Sequence, residues 1–318
     1  LGRTAEGALA SAGRGLAGRR PSEDHRASAS PDALRRGEGR KPVQIEPLSG
    51  ALGAEITGVD VRAASRHEIE EIEAALLEHE VLFFRETGLD DAGHLALAER
   101  FGTPSVFPMS RVMGETEPTF QTIRDTAESP PSTDYWHTDV TWTAEPPKAA
   151  FLRASLVPDR GGDTMWGSMT AAFDALSPQM QGFLSELRVR HDNESFIVGM
   201  ERKLGAQAAK PIAEKLRAAF PPVEHPLVRT HPQTGRRAIL FGGGFMREIV
   251  NLSSSESDAV LDFLSRHIDQ PRFHVRWRWH EGDLAIWDER STVHRGLSDH
   301  YPREREVRRC VIDGDRPV

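Results

Sequence analysis

Cysteine is almost absent: Cys310 is the only one in 318 residues. A lone cysteine excludes an internal disulfide, so nothing ties the fold to an oxidising compartment. Cys310 sits in Arg309-Cys310-Val311-Ile312, which reads as a strand, and is expected to be a buried structural thiol. There is no excess of basic charge. Forty Lys and Arg face 48 Asp and Glu, for a formal net charge of -8. That balance argues against a general binder of nucleic acid or anionic membranes, although it permits a local basic pocket. No stretch approaches the roughly 18 consecutive apolar residues of a membrane span. An apolar secretory signal region and internal repeats are missing as well. The expectation is a cytoplasmic protein with no nucleic-acid or membrane partner.

With 38% hydrophobic residues, the chain has enough apolar content for one large core. Residues 1–42 are rich in Ala, Gly, Ser and Arg without apolar periodicity, and are expected to be a disordered leader. Glu6, Glu23, Asp24, Asp32 and Glu38 argue against a transit peptide, which is poor in acids. The ordered domain is expected over 43–318. Val43 to Leu48 alternates as a strand. Ser65 to Val81 reads as a helix with a Ser65/Glu68 capping box, and Val81 to Phe84 as a buried strand. Further helices are expected over Asp91 to Phe101, from Ser177-Pro178, and over Ser253 to Ile268, where Ser253 and Glu256 form a second capping box. The rest reads as strands. Phe273, Val275, Trp277 and Trp279 alternate with polar residues, and Glu281-Gly282-Asp283 turns the chain into Leu284 to Trp287, an expected hairpin. This pattern predicts a mainly β fold with peripheral α-helices, a β-sandwich or jelly-roll.

The informative segment is Tyr135-Trp136-His137-Thr138-Asp139-Val140-Thr141-Trp142. In a strand, His137 and Asp139 would project to one face. Such a pair alone is more readily read as a surface hydrogen-bonded pair. His294, following the apolar run Ala285-Ile286-Trp287, offers a third ligand. Two histidines and one carboxylate would leave three open positions on an octahedral ferrous ion. A zinc site more often uses Cys or a third His.

The last strand carries a separate signal. Arg305, Val307, Arg309 and Val311 share one face, and the valines suggest that it looks inward. Buried guanidinium groups need anionic partners, which a ligand could supply. The alternative is an amphipathic edge strand with solvated arginines.

These residues resemble the TauD/TfdA-type iron(II)/2-oxoglutarate dioxygenases over nearly all of the chain from Val43. The landmarks are Trp136 to Thr141, Pro146-Pro147, Gly161-Gly162-Asp163-Thr164-Met165-Trp166, His225 to Pro232, Gly282 to Asp288 with His294, and Arg305 eleven residues beyond that histidine. The resemblance implies a double-stranded β-helix (jelly-roll, cupin-like) core, with Fe(II) as the metal and 2-oxoglutarate and O2 as co-substrates. It implies His137, Asp139 and His294 as iron ligands. Arg305 and Thr164 would hold the distal carboxylate of 2-oxoglutarate, and Arg309 the anionic group of the substrate. The family's reaction converts 2-oxoglutarate to succinate and carbon dioxide while hydroxylating a substrate C–H bond. Asp139 argues against the halogenating relatives, in which a small residue vacates that position.

Phe107 and Ser110 stand where the taurine enzymes carry a polar His and Tyr. A pocket lined by Phe107 disfavours a charged amine. The expected partner is therefore a small anionic organic substrate with a more apolar tail, an alkyl sulfate or sulfonate. Hydroxylation of a carboxylate, an amino acid or a natural-product intermediate is the alternative. Two readings from other classes are a non-catalytic metal-binding jelly-roll that acts as a sensor, and a zinc hydrolase on the same ligands. His67, His79, His94 and His267 fall on helices, and His225 and His231 are expected to make structural hydrogen bonds; His25 lies in the leader. A homo-oligomer, dimer or tetramer, is compatible with this reading.

Overall fold

The computed structural model describes residues 42–118 and 120–318. The expected leader, apart from Pro42, and His25 lie outside the described residues. The architecture rests on two sheets that share a core. The larger has seven strands in the order Gln44–Pro47, Ala54–Thr57, Val81–Phe84, Leu284–Asp288, Ala149–Leu156, Arg305–Ile312, Gln121–Asp125. Its neighbours pair antiparallel except Ala54–Thr57 with Val81–Phe84, which are parallel. The smaller has His274–Trp277 and Thr292–Gly296 on either side of Thr164–Ser168.

Period-two alternation assigns the two faces of the larger sheet. Val81, Phe83, Ala285, Trp287, Val307 and Val311 pack against Trp166, Val275, Trp277 and Trp279 of the smaller sheet and its following turn. There Phe83 stacks on Trp277 at 4.3 Å and meets Trp166 edge-on at 5.2 Å. Leu82, Phe84, Ile286, Cys310 and Ile312 form the other face, covered by the helices Arg66–His79 and Asp91–Glu99. A strand buried on both faces must be apolar throughout, which is why Val81-Leu82-Phe83-Phe84 shows no polar alternation. Each such large side chain contributes roughly 1.5–3 kcal/mol by leaving water.

The caps are where the sequence places them. Ser65 with Glu68 and Ser253 with Glu256 both form complete capping boxes, and Ser177 caps Pro178–Ser185. Cys310 is buried beside His94, and burial pushes its thiol up to about 12.

Three expectations are corrected. Phe273 to Trp279 and Leu284 to Trp287 do not pair as a hairpin. The first belongs to the smaller sheet and the second to the larger, so Glu281-Gly282-Asp283 carries the chain from one sheet to the other. The alternation was real, but its apolar face packs across the core and not along one sheet. Second, Glu194–Leu204 and Ala206–Ala219 are helices where strands were expected. The buried face of the second is Ala209, Ala213 and Leu216, so small residues mute the helical period, and Pro211 within it reads as a breaker. Third, His137 and Asp139 do not lie in a strand. His137 forms a single antiparallel bridge with His294, after which the chain turns.

Candidate metal centre

The bridge brings the two histidines together. His137 N–H donates to the His294 carbonyl at 3.1 Å and His294 N–H to the His137 carbonyl at 2.9 Å. His294 is the third residue of Thr292–Gly296, so the smaller sheet holds both backbones. Thr138 is pinned from two sides: its N–H donates to the Phe241 carbonyl at 3.0 Å and its hydroxyl to the Thr292 carbonyl at 2.8 Å.

A turn then aims Asp139. Val140 has a φ of 53°, unusual for a β-branched residue and costing about 1–3 kcal/mol. Neighbours hold the turn in place. His225 Nε2–H donates to the carbonyls of Thr141 at 2.9 Å and Thr143 at 3.0 Å, and His191 Nδ1 meets the Thr141 hydroxyl at 3.0 Å. Asp139 N–H donates to Glu289 Oε2 at 3.1 Å, and Trp287 Nε1–H donates to Glu289 Oε1 at 2.8 Å.

The result is a cluster of one donor atom each from His137, Asp139 and His294, all within 4.8 Å of one another and all buried. His137 Nε2 lies 3.7 Å from Asp139 Oδ1, and His294 Nε2 lies 3.8 Å from Asp139 Oδ2. Those gaps are too long for hydrogen bonds and short enough for one cation to bridge. His137 Nδ1 meets the Tyr135 carbonyl at 2.9 Å, which assigns that nitrogen the proton and turns the Nε2 lone pair to the centre. Burial lowers the pKa of both imidazoles, keeping them neutral and able to ligate. Burial opposes the charged form of Asp139, but the Arg309 guanidinium is the largest opposing influence and the carboxyl lies below the usual range. Two neutral imidazoles and one carboxylate fit a divalent transition metal with open positions.

The inward arginines are indeed buried, Arg305 to 5% exposure and Arg309 to 8%. Their partners come from other segments of the chain. Arg309 donates to Asp139 Oδ2 and Gln121 Oε1. Arg305 donates to the Gly162 carbonyl at 2.8 Å and Thr164 Oγ1 at 3.2 Å, with the Asp125 carboxylate 4.0 Å away. Trp279 Nε1–H also donates to Thr164 Oγ1 at 2.9 Å. With both lone pairs taken, the Thr164 hydroxyl has only its proton left to give, which suits an anionic oxygen.

Phe107 packs edge-on against Phe196, centroids 5.7 Å apart, in the apolar cluster that holds Val140 and Trp142 beside the Asp139 turn. Ser110 is half-buried in the short helix Pro108–Val112, and hydrogen bonds among the described residues do not bring it to the triad. His225 and His231 make structural hydrogen bonds, as expected; His267, on the helix Ser254–Ile268, is buried and donates to the Ala172 carbonyl at 2.7 Å.

Sequence reading missed Glu289, Gln121, Asp125 and Tyr135. Tyr135 opens the segment that carries His137, but nothing in its residue type assigned it a role; the other three lie outside any motif with a fixed spacing and come close through sheet register or a turn. Only the unusual acid pair Asp288-Glu289 at the end of an apolar strand could have drawn attention to Glu289. Burial, then the Asp139 charge, raises its carboxyl well above the usual range.

The chain is similar to proteins already known. Residues 44–311 match the model of the taurine catabolism dioxygenase TauD, TfdA family. An alpha-ketoglutarate-dependent sulfate ester dioxygenase of Pseudomonas putida is 34% identical, covering 87% of this chain and 91% of that protein. An alkylsulfatase of Acinetobacter baylyi is 33% identical over 86% of each chain. The crystal structure of a taurine dioxygenase from Burkholderia xenovorans superposes with a TM-score of 0.71 at 32% identity, covering 87% of this chain and 92% of that one.

Proposed function

The chain belongs to the TauD, TfdA family and is an alpha-ketoglutarate-dependent dioxygenase; we propose that it hydroxylates a C–H of a small anionic substrate, an alkyl sulfate or sulfonate. The two facing sheets are taken as the halves of a double-stranded β-helix, with the candidate ligands at one end of the smaller. His137, Asp139 and His294 would hold Fe(II). When bound, that ion supplies the activation of dioxygen and 2-oxoglutarate that side chains cannot.

The protein's own groups supply binding and orientation. Arg305 and the Thr164 proton would take the distal carboxylate of 2-oxoglutarate, since both are buried and turned to one spot. The observation that carries the substrate reading is Arg309. Its guanidinium is buried and hydrogen-bonded to the Asp139 carboxylate, so an anion gripped there sits beside the metal ligands. Positioning of this kind lowers the barrier by pre-paying orientation. Overall, a sulfate ester R–CH2–OSO3−, 2-oxoglutarate and O2 give R–CH(OH)–OSO3−, succinate and CO2. The hydroxylated carbon then expels sulfate and leaves the aldehyde R–CHO; a sulfonate expels sulfite. Phe107 would face the apolar part of the substrate, with Ser110 behind it.

The test is succinate formation from 2-oxoglutarate by anaerobically iron-loaded protein on addition of air, with alkyl sulfates, sulfonates and carboxylates. Turnover stimulated by sulfates or sulfonates, with sulfate or sulfite released and activity lost in His137→Ala, is expected. Stimulation by carboxylates alone would replace the substrate class. No succinate from protein holding one iron would leave a metal-binding sensor.

A further inference from the structure

Three arginines of the strand Arg305–Ile312 meet partners that differ in charge. Arg305 lies opposite Asp125 of the strand Gln121–Asp125, with that carboxylate 4.0 Å from its guanidinium. Arg308, on the other face, lies opposite Arg153 of Ala149–Leu156. Like charges set opposite one another destabilise a sheet, and here the Asp91 carboxylate accepts from both. Arg309 differs. It lies opposite Gln121 and donates to Gln121 Oε1. Apart from Asp139, a member of the triad, its side-chain acceptor among the described residues is an uncharged amide.

The sheet dictates this pairing. Residues 121, 123 and 125 share one face, and Ile123, opposite Val307, packs against the core between the two sheets. Gln121 and Asp125 therefore meet Arg309 and Arg305 from the two ends of one short strand. The Gln121 amide has only one workable orientation: its carbonyl must face the guanidinium, because its NH2 group there would set donor against donor. A glutamate could accept the same hydrogen bond. It would also place a second carboxylate on Arg309, beside Asp139. The Asp139 charge is the one that a cation held by the triad takes up. A carboxylate at position 121 would have no such claim on it, and would cancel the guanidinium charge that an incoming anion needs.

We propose that Gln121 is a specificity-determining residue: by holding Arg309 with a neutral acceptor, it keeps the guanidinium charge for the anionic group of the substrate. This rests on the reading of Arg309 as the seat of that anion, given above, and deepens it. The strand Gln121–Asp125 then sets the charge at both inward arginines, leaving Arg309 open where Arg305 has a carboxylate within reach.

The test is calorimetric titration of the metal-loaded protein with 2-oxoglutarate bound, under exclusion of air, using butyl sulfate, butanesulfonate and pentanoate. Wild type, Arg309→Gln, Gln121→Glu and Gln121→Met are compared, and 2-oxoglutarate is titrated into each beforehand. Gln121→Glu keeps the acceptor and adds a charge; it should lower the affinity for whichever anion binds by about thirtyfold or more. Gln121→Met loses the acceptor without adding charge and should cost about fivefold. In both, the affinity for 2-oxoglutarate should stay within about threefold of the wild type, since Asp125 and Arg305 stand roughly 13 Å further along the strand. If Arg309→Gln loses the anion while Gln121→Glu binds it as the wild type does, or loses no more than Gln121→Met, the role of Gln121 is overturned and the anionic reading stands. Equal loss of the anion and of 2-oxoglutarate in Gln121→Glu is general damage and overturns it as well. Binding of no anion by the wild type, or binding undiminished in Arg309→Gln, overturns the anionic reading and this inference with it.

Discussion

Arg309 donates one guanidinium N–H to Asp139 Oδ2 and another to Gln121 Oε1, so the side chain assigned to the substrate anion is hydrogen-bonded to one assigned to the metal. An anion arriving at Arg309 therefore lands beside the reacting centre and competes with, or joins, an existing charge pair. Truncating one partner of a buried pair costs about 2–5 kcal/mol. Arg309→Gln is expected to lower kcat/KM for the anionic substrate by about 10²-fold or more, with the KM for 2-oxoglutarate little changed. Arg309→Lys should recover only part of this, because an ammonium lacks the planar fork. Steady-state kinetics with each co-substrate varied separately reads both.

Arg305 and Thr164 form the complementary case. Arg305 donates to Thr164 Oγ1, and among the described residues the hydrogen bonds of neither reach the triad. Arg305→Met is expected to raise the KM for 2-oxoglutarate by about 30-fold or more, as befits a lost charge-assisted contact. Thr164→Val removes a hydroxyl that would donate to that carboxylate, a charge-assisted hydrogen bond of about 1.5–3 kcal/mol, and should raise it about tenfold or more. In both variants the substrate KM should stay near that of the wild type. Equal loss on both co-substrates would place these residues elsewhere.

Glu289 supports the Asp139 turn through the Asp139 N–H and is itself held by Trp287 Nε1–H. Groups that orient a ligand typically matter by 10–100-fold in metal affinity. Glu289→Ala should weaken Co(II) binding by about that factor, followed by the visible absorption of the bound ion. Glu289→Gln keeps one of the two acceptor oxygens and should weaken binding less than Glu289→Ala. Equal damage from both substitutions would mean that one acceptor alone does not hold the turn.

The legible parts of this molecule are those encoded locally. Ser65 with Glu68 and Ser253 with Glu256 announce two helices because a capping box needs only four consecutive residues. The inward face of Arg305–Ile312 is legible because strand alternation is strict. His137, Asp139 and His294 stand out because their segments match a family, and the structure brings them within 4.8 Å. What escapes is decided by pairing over long distances. His137 meets its neighbour through a bridge to His294, not a strand of its own, and Val140 turns Asp139 inward by a backbone conformation that its side chain disfavours. Sheet choice is equally silent: His274–Trp277 and Leu284–Asp288 are separated by one turn yet enter different sheets.

Asp288 closes the strand that leads to Glu289 and provides a pH-dependent stability test. It is 1% exposed and accepts from Arg290 N–H at 2.9 Å, Arg290 Nε at 2.9 Å, another Arg290 guanidinium nitrogen at 2.6 Å and His231 Nε2 at 3.0 Å. Burial opposes its charge, but the Arg290 and His231 hydrogen bonds more than offset this and hold the carboxyl below the ordinary carboxylate range. A carboxyl depressed in the folded state stabilises fully above its unfolded value, about 3.9, and loses that stabilisation as pH falls through the folded value. Asp288→Asn leaves Arg290, 5% exposed, without its counter-charge, at a cost of about 3–5 kcal/mol. In urea unfolding, the gap between wild type and Asp288→Asn should therefore be widest between about pH 5 and 7 and should narrow below about pH 4. A gap that stays constant down to the acid transition would show that the Asp288 charge adds nothing beyond its shape.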